Sequence, residues 1–329
     1  MTPATAAQRK DFLSVLDFDA VDFERCVRLA AQLKQDRTLV RHAPLADALE
    51  GRHVGLLFDK PSLRTRTTFE IAVRELGGQV VALQPDVALG QREPVADVAR
   101  NLERWIDAVV IRTFSQRVLV DFAAATRCLH VVNALTDEEH PCQALADMLT
   151  LQEHLGQLRG RTLAYVGDGN NVATSLAHAA AMAGLHVHMA SPAGYELPDR
   201  VVQQAANASR FGSRLRLFNE PADAVAGADA VYTDAWTSMG RESEAEVRRR
   251  VFAAYQVNEE LMAHARPGAL FMHCLPAHRG EEVTAEVFES EASVVFDQAE
   301  NRLHGQKALL LMLLAPISSA DCGLRIADL

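Results

Sequence analysis

The feature of the sequence that most constrains the fold is a regular alternation of short apolar runs with longer stretches of helical periodicity. The intervening stretches, such as Thr67–Leu76, place apolar residues at the spacing of a helix. The runs rich in Val, Ile and Leu predict buried strands at His53–Phe58, Gln79–Leu83, Ala108–Ile111, His130–Asn133, Thr162–Val166, His186–Ala190, Arg214–Phe218, Ala230–Thr233, Ala269–His273 and Ser293–Phe296. Because strands that alternate with helices form parallel sheets covered on both faces, we predict an α/β fold.

The length of 329 residues is more than one hydrophobic core usually serves, so the sequence predicts two domains. A helical stretch at Pro141–Leu155 is followed by Gly156, which is typical of a hinge. We therefore place the boundary near residue 150, with domains at 1–150 and 151–329, each a parallel sheet flanked by helices. The active site is expected in the cleft between them, and the sequence leaves open whether a final helix over Gly305–Leu314 packs back on the first domain.

The charge pattern and the cysteines exclude several classes of protein. The net charge of −10 is spread along the chain without a basic stripe, so nucleic acid is not an expected partner. An anionic substrate must then be held by a few local arginines and backbone amides. Five cysteines without a CxxC pair do not indicate a disulfide framework or a zinc ribbon. The longest apolar run, Ala308–Leu314, is too short to span a bilayer, and we expect a cytoplasmic protein with no membrane partner.

Hydroxyls and arginines follow the first predicted strand, where a proline-led turn opens into a helix. Ser62, Arg64 and Thr65 stand at the start of that helix, and a helix N-terminus with its free amides suits a phosphate. A second interpretation is an N-capped surface helix with solvated arginines. The phosphate interpretation is favoured because Arg112 and the segment His140–Gln143 also follow predicted strands, and ligands of parallel sheets bind outside the carboxyl ends of the strands.

Three segments of the second half also follow strands. Gly167–Asn171 looks like a dinucleotide loop, but it lacks the full GxGxxG spacing, and the next strand ends in Ser191 without an acidic residue. Asp234–Gly240 holds an aspartate that could equally cap a helix. In His273–Pro276 a cysteine beside a histidine suggests a nucleophile or metal ligand, yet adjacent strand residues point to opposite faces, so covalent catalysis is not expected. Cys274 could also be a buried core residue.

In this order, Ser-x-Arg-Thr-Arg, His-Pro-x-Gln and His-Cys-Leu-Pro resemble the aspartate and ornithine carbamoyltransferase family, and the resemblance spans nearly the whole chain. It implies a set of residues that bind carbamoyl phosphate: Ser62, Leu63 (through its backbone), Arg64, Thr65, Arg112, His140, Gln143, Cys274, Leu275 and Arg302. In such a site Thr65, Arg112 and His140 would stabilise the negative charge that develops on the carbonyl oxygen.

The resemblance also implies an amino-acid site. Asn171, Asp234, Ser238 and Met239 would bind ornithine, with the Ser-Met-Gly loop closing over it. Cys274, together with Asp234, would orient and desolvate the side-chain amine, so the implied catalytic residues are Arg112, His140, Cys274 and Asp234. The implied reaction moves the carbamoyl group of carbamoyl phosphate to L-ornithine, gives L-citrulline and phosphate for arginine metabolism, and needs no metal or organic cofactor. Alternatives are putrescine or an acylated ornithine as acceptor, a non-catalytic paralogue, and a dinucleotide-binding oxidoreductase.

Two positions depart from the pattern of the family. Leu63 stands where the ornithine enzymes commonly have Thr, so one hydroxyl is missing from the phosphate site. Ala88 stands where the family often has a glutamine that reaches into a neighbouring subunit. The family implies a homotrimer or a multiple of trimers, and Ala88 puts that intersubunit contact in doubt unless Gln91 or Arg92 replaces it.

Overall fold

The computed structural model of the protein describes residues 11–60, 62–85, 92–237 and 242–315. Two sheets, in which all strand pairs are parallel, organise the chain. The strands are β1 (His53–Phe58), β2 (Gln79–Leu83), β3 (Ala108–Arg112), β4 (His130–Leu135), β5 (Thr162–Val166), β6 (His186–Ala190), β7 (Leu215–Phe218), β8 (Ala230–Thr233) and β9 (Leu270–His273). The first sheet has the order β2-β1-β3-β4 and the second sheet the order β7-β6-β5-β8-β9.

Helices lie between the strands. They are α1 (Ala20–Asp36), α2 (Arg64–Glu75), α3 (Val95–Leu102), α4 (Gln116–Ala124), α5 (Pro141–Leu155), α6 (Asn171–Ala183), α7 (Asp199–Ala208), α8 (Pro221–Val225), α9 (Ala245–Phe252), α10 (Glu259–Met262), α11 (Ala285–Phe288) and α12 (Val295–Leu314). The predicted α/β architecture with two parallel-sheet domains is confirmed. None of the described helices is long and apolar enough to cross a membrane.

Most predicted strands are present, and β1, β2, β5, β6 and β8 have the predicted bounds. The strand predicted at Ser293–Phe296 is wrong. Ser293 makes only an isolated bridge to Phe271, and α12 begins at Val295. A run of three apolar residues does not distinguish a strand from the first turn of a buried helix, because the run is too short to show a periodicity. The last helix therefore begins at Val295 rather than at Gly305.

The central layer of the molecule is formed by α5 and α12. The first eleven residues of α5, Pro141–Leu151, are buried, and α12 packs on α5 as well as on α1 and α2, two other helices of the first half. A Cβ built on Gly305 of α12 would lie 3.4 Å from the Leu145 side chain of α5, so the two helices approach closely. α5 also packs on α6 of the second half. The domain division near residue 150 falls within α5 and stays a prediction.

Candidate active site

A cavity of about 810 Å³ lies at the carboxyl ends of the strands of both sheets. This is where ligands of open parallel sheets bind. Most of the residues singled out in the sequence line it: Ser62, Leu63, Arg64, Thr65, Arg112, His140, Asn171, Asp234, Cys274, Leu275 and Arg302. Gln143 is buried behind Arg302, and Ser238 and Met239 lie outside the described residues.

The first wall of the cavity is the N-terminus of α2. Leu63 occupies the N-cap position and makes no side-chain cap, and its own side chain is 78% exposed. The interpretation as a side-chain-capped surface helix is therefore not supported. Free amides at the start of a helix carry a partial positive charge and bind anions. Thr65, in the first turn, is buried with its hydroxyl toward the arginines described next.

Three arginines converge on this wall. Arg302 donates to Thr65 Oγ1 over 2.7 Å and to Gln143 Oε1 over 2.6 Å, and Arg112 approaches Thr65 Oγ1 at 3.4 Å. Burial, and then the nearby charges of Arg302 and Arg64, lowers the pKa of Arg112 to about 10. Burial also lowers the pKa of Arg64 and of Arg302. Since the hydrogen-bond partners that the structure gives Arg112 and Arg302 are neutral, this wall favours a bound anion.

His140 is the N-cap residue of α5 and is 5% exposed. Its backbone N–H donates to Ser175 Oγ over 2.9 Å, which fixes the turn. Burial, followed by the charges of Arg302, Arg112 and Arg64, holds the pKa of His140 well below its usual value. The imidazole is therefore neutral near pH 7, and it can serve as an N–H donor without adding a fourth positive charge.

The opposite wall is formed by an aspartate and a cysteine at the ends of β8 and β9. Asp234 Oδ1 accepts hydrogen bonds from the Cys274 thiol over 3.0 Å and from the backbone N–H of Ala235 over 2.8 Å. Burial, and then the charge of Asp234, raises the pKa of Cys274 well above its usual value. The thiol is therefore a neutral donor rather than a thiolate.

Two asparagines follow β5. The Asn170 side-chain oxygen caps α6, and its Nδ2 donates to Asp234 Oδ2 over 2.8 Å. Asn171 lines the cavity and donates to the backbone carbonyl of Thr136 in the first half. Sequence reasoning missed Asn170, although an asparagine that precedes a helix is a recognisable N-cap.

His273 is fully buried next to Cys274, but its ring nitrogens bond to other groups. Its Nδ1 accepts from the backbone N–H of Leu275 over 2.8 Å, so its Nε2 carries the proton directed at Glu282, 3.2 Å away. Burial opposes the ionisation of Glu282, but hydrogen bonds from His273 and from the His278 backbone keep its pKa below the usual value. Leu275 adopts a φ of 61°, which non-glycine residues rarely do. This pairing holds the segment in a shape that turns Cys274 toward the cavity.

The loop Gly167–Asn171 does not leave room for a dinucleotide. The N–H of Gly169 donates to the carbonyl of Tyr195 over 2.8 Å, and a Cβ on Gly169 would lie 2.5 Å from the backbone of Glu196 and Leu197. Protein backbone therefore packs against the loop where a pyrophosphate would approach it. The oxidoreductase alternative is not supported.

Comparison with known proteins identifies the family. The model of the aspartate/ornithine carbamoyltransferase carbamoyl-P binding domain matches residues 10–153, and the model of the Asp/Orn binding domain of the same family matches residues 159–313. The chain is a member of the aspartate/ornithine carbamoyltransferase family.

Relatives of this carbamoyltransferase agree over nearly its whole length. The ornithine carbamoyltransferase of Symbiobacterium thermophilum is 48% identical over 314 residues, which cover 94% of this chain and 100% of that protein. The ornithine carbamoyltransferase of Acidothermus cellulolyticus is 53% identical over 287 residues, 87% of this chain and 90% of that protein. Among solved structures, the ornithine carbamoyltransferase of Pyrococcus furiosus superposes with a TM-score of 0.89 at 43% identity, covering 95% of this chain and 100% of the other.

Among the described residues, two groups of side chains have ligand atoms of types that bind metals within 4.8 Å of one another: Asp234, His273 and Cys274, and His278, Glu281 and Glu282. In the first group the thiol already bonds to the aspartate, and the histidine bonds to Glu282. In the second, Glu281 pairs with Arg249 over 3.0 Å. Protein partners therefore account for these contacts without an ion.

Proposed function

We propose that the protein is an ornithine carbamoyltransferase, which transfers the carbamoyl group of carbamoyl phosphate to the side-chain amine of L-ornithine. The observation that carries the proposal is the pair of facing walls: three arginines and a neutral histidine on one side, and the Asp234–Cys274 pair on the other. One wall suits an anion that carries a carbonyl, and the other suits an amine. The family, with its carbamoyl-P and Asp/Orn binding domains, supports both substrates.

Carbamoyl phosphate would occupy the first wall. The α2 N-terminus with Ser62, Leu63 and Arg64 would hold the phosphate, while Thr65, Arg112 and His140 would donate to the carbonyl oxygen. Gln143, Cys274, Leu275 and Arg302 complete this proposed site. Attack by the amine builds negative charge on the carbonyl oxygen, and preorganised donors stabilise that charge at the moment it forms.

Ornithine would bind between Asn171, Asp234, Ser238 and Met239, with its side-chain amine beside Cys274. The amine must lose a proton before it attacks, and the Asp234–Cys274 pair would hold the neutral amine toward the carbonyl carbon. A nitrogen–carbon bond then forms, the carbon–oxygen bond to phosphate breaks, and phosphate leaves with the electron pair and takes the proton that the attacking nitrogen loses. Positioning and charge stabilisation suffice for this reaction, so the proposal includes no metal or organic cofactor.

The assembly we propose is a homotrimer or a multiple of trimers, acting in the cytoplasm. Ala88 and Gln91 lie outside the described residues, and Arg92 is exposed. Because residue 88 is alanine where the family often has an intersubunit glutamine, Ala88→Gln should lower the KM for carbamoyl phosphate. Sedimentation of the enzyme, with this KM measured for both forms, tests the proposal, and a monomer with full activity would contradict it.

A steady-state assay with three acceptors tests the function. We expect citrulline formation with ornithine, and much lower kcat/KM with putrescine or Nα-acetylornithine, since neither offers both a free α-amine and a carboxylate. Cys274→Ala and Arg64→Ala should each lower kcat/KM at least ~10-fold. Turnover of putrescine equal to that of ornithine would overturn the acceptor, and unchanged kcat/KM in both variants would overturn the site.

A further inference from the structure

A fully buried carboxylate, that of Asp147, lies behind the cavity. Asp147 is fully buried on α5, one helical turn beyond Gln143 and on the same face. Its Oδ1 accepts hydrogen bonds from Gln143 Nε2 over 2.8 Å and from Gln298 Nε2 over 2.7 Å. Its Oδ2 accepts from the Tyr232 hydroxyl at 3.3 Å. The carboxylate therefore contacts side chains of α5, α12 and β8 at once.

These contacts belong to a continuous buried path between the two walls of the site. Arg302 donates to Thr65 and to Gln143 at one end, and at the other end Gln298 Oε1 accepts from the backbone N–H of His273 over 3.0 Å. The path runs through Thr65, Arg302, Gln143, Asp147, Gln298 and the backbone of His273. It begins at the phosphate wall and ends one residue before Cys274.

We propose that Asp147 is a positioning residue for carbamoyl transfer, which orients the amides of Gln143 and Gln298 and so aligns the two walls of the site. This inference rests on the proposed function. Asp147 itself does not line the cavity, and it acts through the two glutamines.

The direction of the hydrogen bonds explains why a carboxylate is needed. A side-chain amide has a donor end and an acceptor end, whereas an ionised carboxylate only accepts. The NH₂ ends of Gln143 and Gln298 must therefore both face Asp147. The Gln143 carbonyl is left facing Arg302, which lines the cavity, so the orientation of Gln143 holds the Arg302 guanidinium in place. The Gln298 carbonyl is left facing the His273 N–H.

Asp147 is also costly to keep at this position. Burial raises the pKa of its carboxyl to about 7, against the opposing effect of hydrogen bonds from Gln143, Gln298 and Tyr232 and of the nearby charge of Arg302. The transfer of an ionised carboxylate from water to the protein interior is unfavourable unless its hydrogen bonds and nearby charges compensate. The burial of the Asp147 carboxyl is unfavourable for folding, yet the group organises both walls of the active site. Its presence is therefore consistent with a requirement of function rather than of folding.

A double-mutant cycle tests the proposal. Asp147→Leu keeps the branched shape of the side chain in a larger volume but removes the acceptor, and Gln143→Leu removes the group it orients. We expect Asp147→Leu to lower kcat/KM for carbamoyl phosphate about 100-fold, with the loss in Gln143→Leu similar and the double variant little worse than Gln143→Leu alone. Asp147→Asn, which keeps one acceptor oxygen, should lose about 10-fold or less.

Thermal unfolding at about pH 8 separates this role from a merely structural one. We expect the Tm of Asp147→Asn to equal or exceed that of the unchanged protein although its kcat/KM is lower. If Asp147→Leu does not fold, the cycle is run with Asp147→Asn. Losses that multiply in the double variant, or a kcat/KM within about 3-fold of the unchanged enzyme for Asp147→Leu, would overturn the proposal. Ornithine turnover by the unchanged enzyme tests the proposed function separately.

Discussion

At the scale of single residues, two arginines of one short motif have different surroundings. Arg64 lines the cavity, whereas the Arg66 side chain is 52% exposed and pairs with Glu70 at 3.2 Å, one helical turn away. Residues two apart on a helix lie on nearly opposite sides, so the two charges cannot serve the same site. The motif contributes one arginine to the cavity and one to the surface.

This difference gives a matched pair of variants. Arg64→Lys keeps the charge but loses the planar fork, and we expect kcat/KM for carbamoyl phosphate to fall by ~10². Arg66→Lys alters only one partner of an exposed ion pair, which stabilises by at most about 1 kcal/mol, and should leave kcat/KM within about 2-fold. Steady-state kinetics on both check this. Equal losses of kcat/KM in the two variants would contradict the assignment of Arg64, rather than Arg66, to the phosphate.

The neutral thiol of Cys274 gives a second prediction at this scale. Because the thiol acts as a hydrogen-bond donor to Asp234, a serine hydroxyl can replace it. We expect Cys274→Ser to keep clearly more activity than Cys274→Ala, whose loss should be about 10-fold or more. Citrulline formation measured for both variants decides. A serine variant as inactive as the alanine variant would indicate chemistry at sulfur.

At the scale of elements, the close approach of α12 to α5 positions Arg302. Gly305 stands on α12 one turn after Arg302, where its missing side chain lets the helix lie against Leu145. A Cβ there would meet Leu145 at ordinary contact distance, but a longer side chain would have to displace α5. The depth at which α12 packs thus sets where the Arg302 guanidinium reaches Thr65 and Gln143.

Two substitutions test this packing. Gly305→Ala should leave the free energy of unfolding unchanged or raise it by up to about 1 kcal/mol, because alanine favours the helix. Gly305→Leu should lower it by about 1–3 kcal/mol through overpacking and should also reduce kcat/KM by displacing Arg302. Denaturant unfolding and steady-state assays measure both quantities. A leucine variant that is destabilised but keeps full activity would separate Arg302 from this contact.

At the scale of the whole molecule, two fully buried groups have pKa values that are shifted in opposite directions. Burial raises the pKa of Asp147 to about 7 and, with the charges of Lys307 and Lys34, lowers the pKa of His304 to about 4. Between about pH 4 and 6.5, the folded protein keeps a proton on Asp147 that the unfolded chain loses, so this group lowers stability as pH rises. In the same range, the unfolded chain takes a proton on His304 that the folded protein refuses, so this group lowers stability as pH falls.

The two effects oppose each other, and single substitutions should reveal them. The slope of the free energy of unfolding against pH between about pH 4 and 6.5 is the quantity that changes. Compared with the unchanged protein, this slope should be more positive in Asp147→Asn and more negative in His304→Leu. Urea unfolding at several pH values in this range measures both slopes. Parallel slopes in all three proteins would show that neither group titrates as described.

Much of the fold is determined locally and could be predicted. The strands of a parallel sheet buried on both faces are continuous apolar runs, so β1, β5 and β8 have the predicted bounds, and α5 begins at the proline that suits its first turn. The predicted residues at strand ends gather around one cavity, because the carboxyl ends of parallel strands share one edge. The sequence by itself therefore determined the strands, the start of α5 and the edge of the sheets at which the site lies.

The rest was decided by tertiary structure. The segment Ser293–Phe296 contains the start of α12 rather than a strand, and Asp147 and Gln298 carry no local signature of their roles. Asp147 meets Gln298 across 151 positions of the chain. Such hydrogen bonds depend on how separate elements pack, and a polar residue in an apolar stretch of sequence does not reveal its partner until both are buried together.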